Sequence, residues 1–335
     1  MLTKTQQEAR SIVIKKMATG EYTLRKNPCL CGEKRYVLLA TKDRYGVPIR
    51  TVLCLGCGLV RSDPYYDERT LADFYSKQYR PLYTGSETAT EDFFSQQRTF
   101  GRDIVAFLSE KVFDGKEIEG KKVFEVGCGA GGILEAFRER GNEVFGCDYG
   151  ETYIAYGKQQ GLSLVAGGAK TLAQFGIADI IILNHTLEHM TEPLAELEQV
   201  KKLLSPSGIL YIALPGIYSL HDGYRGRFVK GYLQNAHIWY FTLKTLSAIV
   251  ERSGFALVTG NEAIVSVFKV GKPSRPQEIE NPEKILRYLK KTKNLRWYYG
   301  AKKFSLRHSA FETLRRLGPL YRVTRSVYRK FKKIQ

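Results

Sequence analysis

Four cysteines fall in two tight pairs, Cys29 with Cys31 and Cys54 with Cys57, each flanked by glycine. Zinc takes four soft ligands in a tetrahedron, so two thiolate-bearing turns brought together by a hairpin suit one ion. The second pair, CLGCG, has the usual two-residue spacing, and the first, CLCG, has one intervening residue. Four thiolates would close the coordination sphere and make the metal structural. The alternative reading is a set of buried reduced thiols acting as small hydrophobes. A second group is the bend EVGCGAGG, whose Gly127, Gly129 and Gly131 let backbone approach a ligand closely. Asp148 follows 21 residues after Gly127, the spacing at which a carboxylate on the next parallel strand accepts ribose hydroxyls. A third group is NHTLEHM, where His185 and His189 stand four apart and face one side of a helical turn beside Glu188. Read as a metal pair they lack an evident third ligand. His237, in NAHIWYFT, is a further candidate to accept a proton.

The elements needed to position these residues are legible. Residues RYVLLA and VPIRTVLCL alternate as two strands between the cysteine pairs. The apolar run at Val123, Phe124 and Val126 reads as a strand entering the glycine bend, and Ile133, Leu134 and Phe137 continue it as a helix. Strands are expected at EVFGCD, at 162–165 and at 178–183, with helical patterns between, which makes the middle of the chain an alternating β/α domain.

The chain has 335 residues, 43% of them hydrophobic and 26% charged, an ordinary globular composition. Lys and Arg exceed Asp and Glu by 52 to 34. Residues 272–335 hold nineteen of the basic residues against four Glu, so fifteen of the eighteen net positive charges belong to this tail. The stretch GKPSRPQEIENPEK reads as a linker, and the apolar residues from Phe304 to Ile334 recur at helical spacing among Lys and Arg. Such basic amphipathic segments either meet an anionic membrane surface or dock on the body. No apolar run is long enough to span a bilayer and the amino end has no apolar leader, so a cytoplasmic protein is expected, with peripheral membrane contact through the tail.

In their order and spacing, EVGCGAGG, GCD, DIIILNHTLEHM and LLSPSGILYIALP resemble the successive motifs of class I S-adenosylmethionine (SAM)-dependent methyltransferases. CLCG with CLGCGLVRSDPYYDERTLADFYSKQY, and AHIWYFTLKTLSAIVERSGF, resemble a bacterial subgroup that joins a zinc-binding amino-terminal segment to that domain, with many members in sugar and surface-glycan pathways. The resemblance implies a Rossmann-like α/β sheet with helices on both faces. It implies SAM as cofactor, with Gly127, Gly129 and Gly131 under the methionine portion, Glu125 fixing its amino group and Asp148 on the ribose. Asn184 and His185 would then sit beside the sulfonium, and Tyr79, with Tyr75, would close over the donor unless both are packing residues.

Four segments follow: a zinc module over 1–70, with Cys29, Cys31, Cys54 and Cys57 as ligands; a helical connector over 71–120; the methyltransferase domain over 121–271; and the basic helical tail over 272–335. The expected reaction is methyl transfer to a hydroxyl, with a carbon second, of a sugar-containing acceptor such as a nucleotide sugar or surface glycan. His189 or His237, with Glu188, would take the proton. Tyr218, His221, Arg225 and Arg227 would grip an anionic acceptor. The rivals are a lipid or quinone methyltransferase, an RNA methyltransferase and an inactive scaffold. The absence of an NPPY-type tetrapeptide and the distal position of the charge point away from nucleic acid.

Overall fold

The computed structural model describes residues 2–86, 88–273 and 279–292. The expected amphipathic segments from Phe304 onward lie outside the described residues.

The amino-terminal helix α1 (Lys4–Ala18) starts at Thr3, whose side chain caps it, and buries Ala9 and Val13. The expected hairpin follows as β1 (Tyr36–Lys42) and β2 (Pro48–Cys54), and β3 (Val60–Ser62) extends it. Residues 68–83 form short helical turns. The longest helix, α2 (Glu91–Val112), is capped by Thr90.

From there β and α elements alternate: β4 (Lys122–Val126), α3 (Gly132–Arg138), β5 (Glu143–Asp148), α4 (Glu151–Gln159), β6 (Ser163–Ala166), β7 (Ala178–Asn184), α5 (Pro193–Leu203) and β8 (Leu204–Ala213). After a long excursion come β9 (Trp239–Tyr240), α6 (Leu243–Arg252), β10 (Phe255–Gly260), β11 (Val265–Val270) and α7 (Pro282–Lys291).

Seven strands form one sheet in the order β10-β11-β8-β7-β4-β5-β6. All neighbours are parallel except those of β11, which runs antiparallel to both β8 and β10. Helices cover both faces, so the central strand β7 carries Ile180, Ile181, Ile182 and Leu183 with every side chain buried, rather than alternating. Chain order reverses between β4 and β7, which opens a crevice at their carboxyl ends. Helix α2 lies close enough on α3 that a Cβ at Gly101 would stand 2.7 Å from the Ala136 methyl. That closeness brings α2 over the glycine bend.

A second, antiparallel sheet has the order β9-β3-β2-β1, so the strand after the excursion completes the amino-terminal sheet. Trp239 pairs with Arg61 and Tyr240 with Val60. The stretch read as a linker differs in its second half. Glu280 is buried and accepts from Thr242 Oγ1 (2.9 Å), Asn281 caps α7, and Ile285 and Leu289 are buried against Tyr232 and Tyr240. Two leucine-like side chains one turn apart give this segment an apolar face, which its Pro and charge content conceals in the sequence.

Candidate active site

The crevice holds most of the expected residues. Gly127, Gly129 and Gly131 all take positive φ (79°, 56° and 80°), a conformation that favours glycine. The room they leave is largely filled by protein: a Cβ at Gly127 would lie 2.5 Å from Thr186 Oγ1, and one at Gly131 would lie 2.7 Å from Leu162 Cδ1. Above Gly129 lies Gln97 of α2, whose amide donates to Cys128 O (3.3 Å). Gln97 was not legible as a site residue, because nothing in its local pattern separates it from other polar positions of a long helix.

Asp148, at the end of β5, accepts from Gly129 N (2.9 Å) through one oxygen and from Gly150 N (2.7 Å) through the other. Arg80 stands 3.9 Å from the same carboxylate and lies over the Tyr153 ring. The bend and the carboxylate are thus bound to each other, and each oxygen keeps a second lone pair for a ligand. Glu125 is buried beside them and its Oε2 has no partner among the described residues. Burial, with Asp148 nearby, pushes its pKa well above the usual carboxylate range.

At the end of β7, Asn184 is half-buried and its carbonyl accepts from Thr186 Oγ1 (3.1 Å). His185 differs from expectation: it precedes the short turn Leu187–His189 and adopts a left-handed φ of 53°, so it and His189 do not share a helical face. They converge instead on Glu188. His185 Nδ1 is 3.5 Å, His189 Nε2 4.0 Å and His237 Nε2 3.9 Å from Glu188 Oε1. The pair His185 and His189 is not completed as such; the groups that converge within 4.8 Å of one another are Glu188, His189 and His237, the last 48 residues beyond His189. Glu188 is 1% exposed and neither oxygen has a hydrogen-bond partner among the described residues. Burial lowers the pKa of His189 and takes that of His237 well below the ordinary value. His185 is exposed at its side chain, and there the Glu188 carboxylate outweighs desolvation and raises the pKa.

Amino-terminal residues hold this cluster in place. Tyr65 donates to Ala236 O (3.0 Å), Ser62 Oγ donates to His237 O (2.9 Å), and Ala236 O in turn accepts from His189 Nδ1 (3.0 Å). Tyr75 hydrogen-bonds His189 Nδ1 (3.1 Å), and the Tyr79 ring meets those of Tyr75 and Tyr83 at a tilt and that of His189 edge-on. Burial raises the Tyr79 phenol to about 12. Tyr218 and His221 turn onto α7, where both meet the Tyr288 ring, whereas Arg225 and Arg227 are exposed. An open cleft of about 690 Å³ between Tyr218, Glu262, Lys284, Arg287 and Tyr288 contains none of the crevice residues.

The four cysteine sulfurs converge within 4.8 Å of one another, with three separations of 3.5 Å. A tetrahedral zinc with bonds of ~2.3 Å spaces its sulfurs by roughly 3.8 Å, so the set is compatible with zinc. Gly56 N donates to Cys54 Sγ (3.4 Å). The hydrogen bond to Cys57 leads the effects that bring the Cys29 thiol down to about 5, while burial pushes Cys54 up to about 11.

A parallel sheet of this strand order with an antiparallel β11, a glycine bend after β4 and a carboxylate after β5 defines a Rossmann-like methyltransferase fold. Residues 93–259 match the family model described as "Methyltransferase domain". The ubiquinone biosynthesis O-methyltransferase of Acinetobacter baumannii (strain AYE) is 30% identical over 105 residues, covering 29% of this chain and 44% of that protein. Its counterpart in Cereibacter sphaeroides (strain ATCC 17029 / ATH 2.4.9) is 32% identical over 142 residues, covering 40% and 54%. The chain thus spans about half the length of these curated relatives. Similar solved structures include the plantazolicin methyltransferase BamL (19% identity, TM-score 0.44, 73% of this chain and 88% of that one). Another is the magnesium protoporphyrin IX methyltransferase of Synechocystis PCC 6803 (17%, TM-score 0.42, 62% and 100%). The matched family model and both curated relatives are described as methyltransferases.

Proposed function

We propose that the protein transfers a methyl group from SAM to a hydroxyl oxygen of a sugar-containing acceptor. The observation that carries the donor assignment is the pairing of a buried, unpartnered Glu125 with a glycine bend tied to Asp148, inside a methyltransferase domain. A cationic amino group would satisfy Glu125 Oε2, and ribose hydroxyls would use the remaining lone pairs of Asp148. When bound, SAM supplies a methyl on a positively charged sulfur, already a good leaving group. The chain's task is then alignment, which can remove ~7 to 11 kcal/mol of barrier.

Asn184 and His185 form the rim at which the acceptor enters, and the Glu188, His189 and His237 cluster behind them receives its proton. Arg225 and Arg227, exposed on the excursion, are available to an anionic acceptor. A quinone-type hydroxyl acceptor is the second reading, favoured by the O-methyltransferases of ubiquinone biosynthesis among the relatives. The four cysteines hold a structural zinc ion.

Calorimetric titration with SAM tests the donor assignment. The natural chain should bind one equivalent, and Asp148→Ala and Gly127→Val should each lose binding at least tenfold. No heat with the natural chain would overturn the assignment. Tritiated methyl transfer onto nucleotide sugars, glycolipids and quinols then identifies the acceptor.

A further inference from the structure

We infer that Glu188, His189 and His237 form a binding site for one divalent transition-metal ion, whose remaining coordination positions take the acceptor oxygen. The inference rests on the methyltransferase reading for its role, though not for the existence of the site.

Glu188 poses the physical problem. A buried carboxylate without hydrogen bonds is costly, and native proteins pair such groups or place a metal on them; the nearest histidine nitrogen, His185 Nδ1 at 3.5 Å, belongs to a side chain exposed at the rim. Its carboxylate faces imidazole nitrogens of His189 and His237 at 4.0 and 3.9 Å.

The orientation of the ligand atoms supports the same conclusion. His189 Nδ1 stands 3.0 Å from the Ala236 carbonyl and 3.1 Å from the Tyr75 hydroxyl, and with its proton donated to that carbonyl Nε2 is left as an acceptor toward Glu188. A backbone carbonyl holding the far nitrogen of a ligating histidine is the usual outer support of a metal site. His237 is fixed through its own main chain, by Ser62 Oγ at its carbonyl and by Gln234 O at its amide. Its ring stands at 88° to that of His189 with centroids 4.7 Å apart. The three ligand atoms lie within 4.8 Å of one another. Ligands ~2.1 Å from an ion would stand roughly 3.0 to 3.4 Å apart, so the site must contract by about an ångström. The Gln234 amide nitrogen, 2.5 Å from His237 Nε2, shares that lone pair and must rotate away.

Two imidazoles and one carboxylate, with no thiolate, suit Mn²⁺, Fe²⁺, Co²⁺ or Zn²⁺ and leave positions open for a substrate. Access is from the rim, where the His185 side chain is 58% exposed and that of His189 14%. With the ion holding the lone pairs of the cluster, an acceptor hydroxyl bound there would release its proton to water, whereas without the ion the cluster takes that proton itself. The oxygen lone pair would then form the O–CH3 bond as the S–CH3 bond breaks, leaving a neutral thioether.

The test is Mn²⁺ titration of the full chain, first given a single equivalent of zinc, which the four thiolates take in preference to an imidazole–carboxylate site, and dialysed free of excess, followed by electron paramagnetic resonance. One Mn²⁺ per chain is expected, and Glu188→Gln and His237→Gln should each weaken it by at least about tenfold. Circular dichroism confirms that each variant is folded. A folded natural chain that takes up no Mn²⁺ at millimolar concentration overturns the inference, as does binding unchanged in both variants. In the first case His185 alone is the counter-charge of Glu188. SAM calorimetry on the same samples separates the two readings: SAM bound without Mn²⁺ defeats only the metal site, and Mn²⁺ bound without SAM defeats only the donor assignment.

Discussion

Asp43 shows how far one residue can couple the amino-terminal sheet to the loop that carries His237. It is 4% exposed and accepts from the backbone amides of Tyr45, Val47 and Asn235. Burial nevertheless outweighs these donors and raises its carboxyl to about 6. Its folded pKa lies above the unfolded value of 3.8, so the folded state binds the proton more tightly. The associated stability is present below pH 3.8 and is lost as pH rises to about 6. A shift of about two units corresponds to roughly 3 kcal/mol. Urea unfolding of the natural chain and of Asp43→Asn at pH 4.5 and 7.5 should show this loss only in the natural chain. Parallel pH profiles would refute it.

Among the elements, the strands and the glycine bend were legible because periodicity and punctuation are local signals. The hairpin, β4, β5 and β7 lie where the alternation places them, with β6 displaced by one residue. The meeting of Glu188 with His237 and the joining of β9 to β3 were not legible, since both are pairings over a long separation set by tertiary packing. Likewise, the helical spacing of His185 and His189 gave no sign of the left-handed backbone at His185.

The join of β9 to β3 has a functional corollary. Ser62 lies on β3, eight residues past Cys54, and its hydroxyl holds the His237 carbonyl. Loosening the cysteine cluster should therefore disturb the distant histidine. We expect Cys54→Ser to lower the thermal midpoint and to reduce methyl transfer more than it reduces SAM binding, because the glycine bend sits on the other sheet. Equal losses of binding and turnover would show that the two sheets are not coupled in this way.

At the scale of the whole molecule, the body is nearly neutral and the basic residues concentrate after position 272. Among the described residues, no helix is long and apolar enough to cross a membrane. Helix α7 belongs to the body, with Ile285 and Leu289 fully buried and Glu280 bonded to Thr242. Burying two such side chains contributes about 3 to 6 kcal/mol. Truncation after residue 273 should therefore destabilise the protein by several kcal/mol in urea relative to truncation after 292. Equal stability of the two truncated forms would mean that α7 contributes nothing to the body.

The strand contributed by Trp239 and Tyr240 also bears on biosynthesis. Its partner β3 leaves the ribosome about 180 residues earlier, an interval of roughly 10 to 40 seconds at ordinary elongation rates. For that time the nascent cysteine hairpin carries an open edge of unpaired amides and carbonyls, available to a neighbouring chain. Prompt metal capture by the four sulfurs would keep this half-built sheet in register until its last strand arrives.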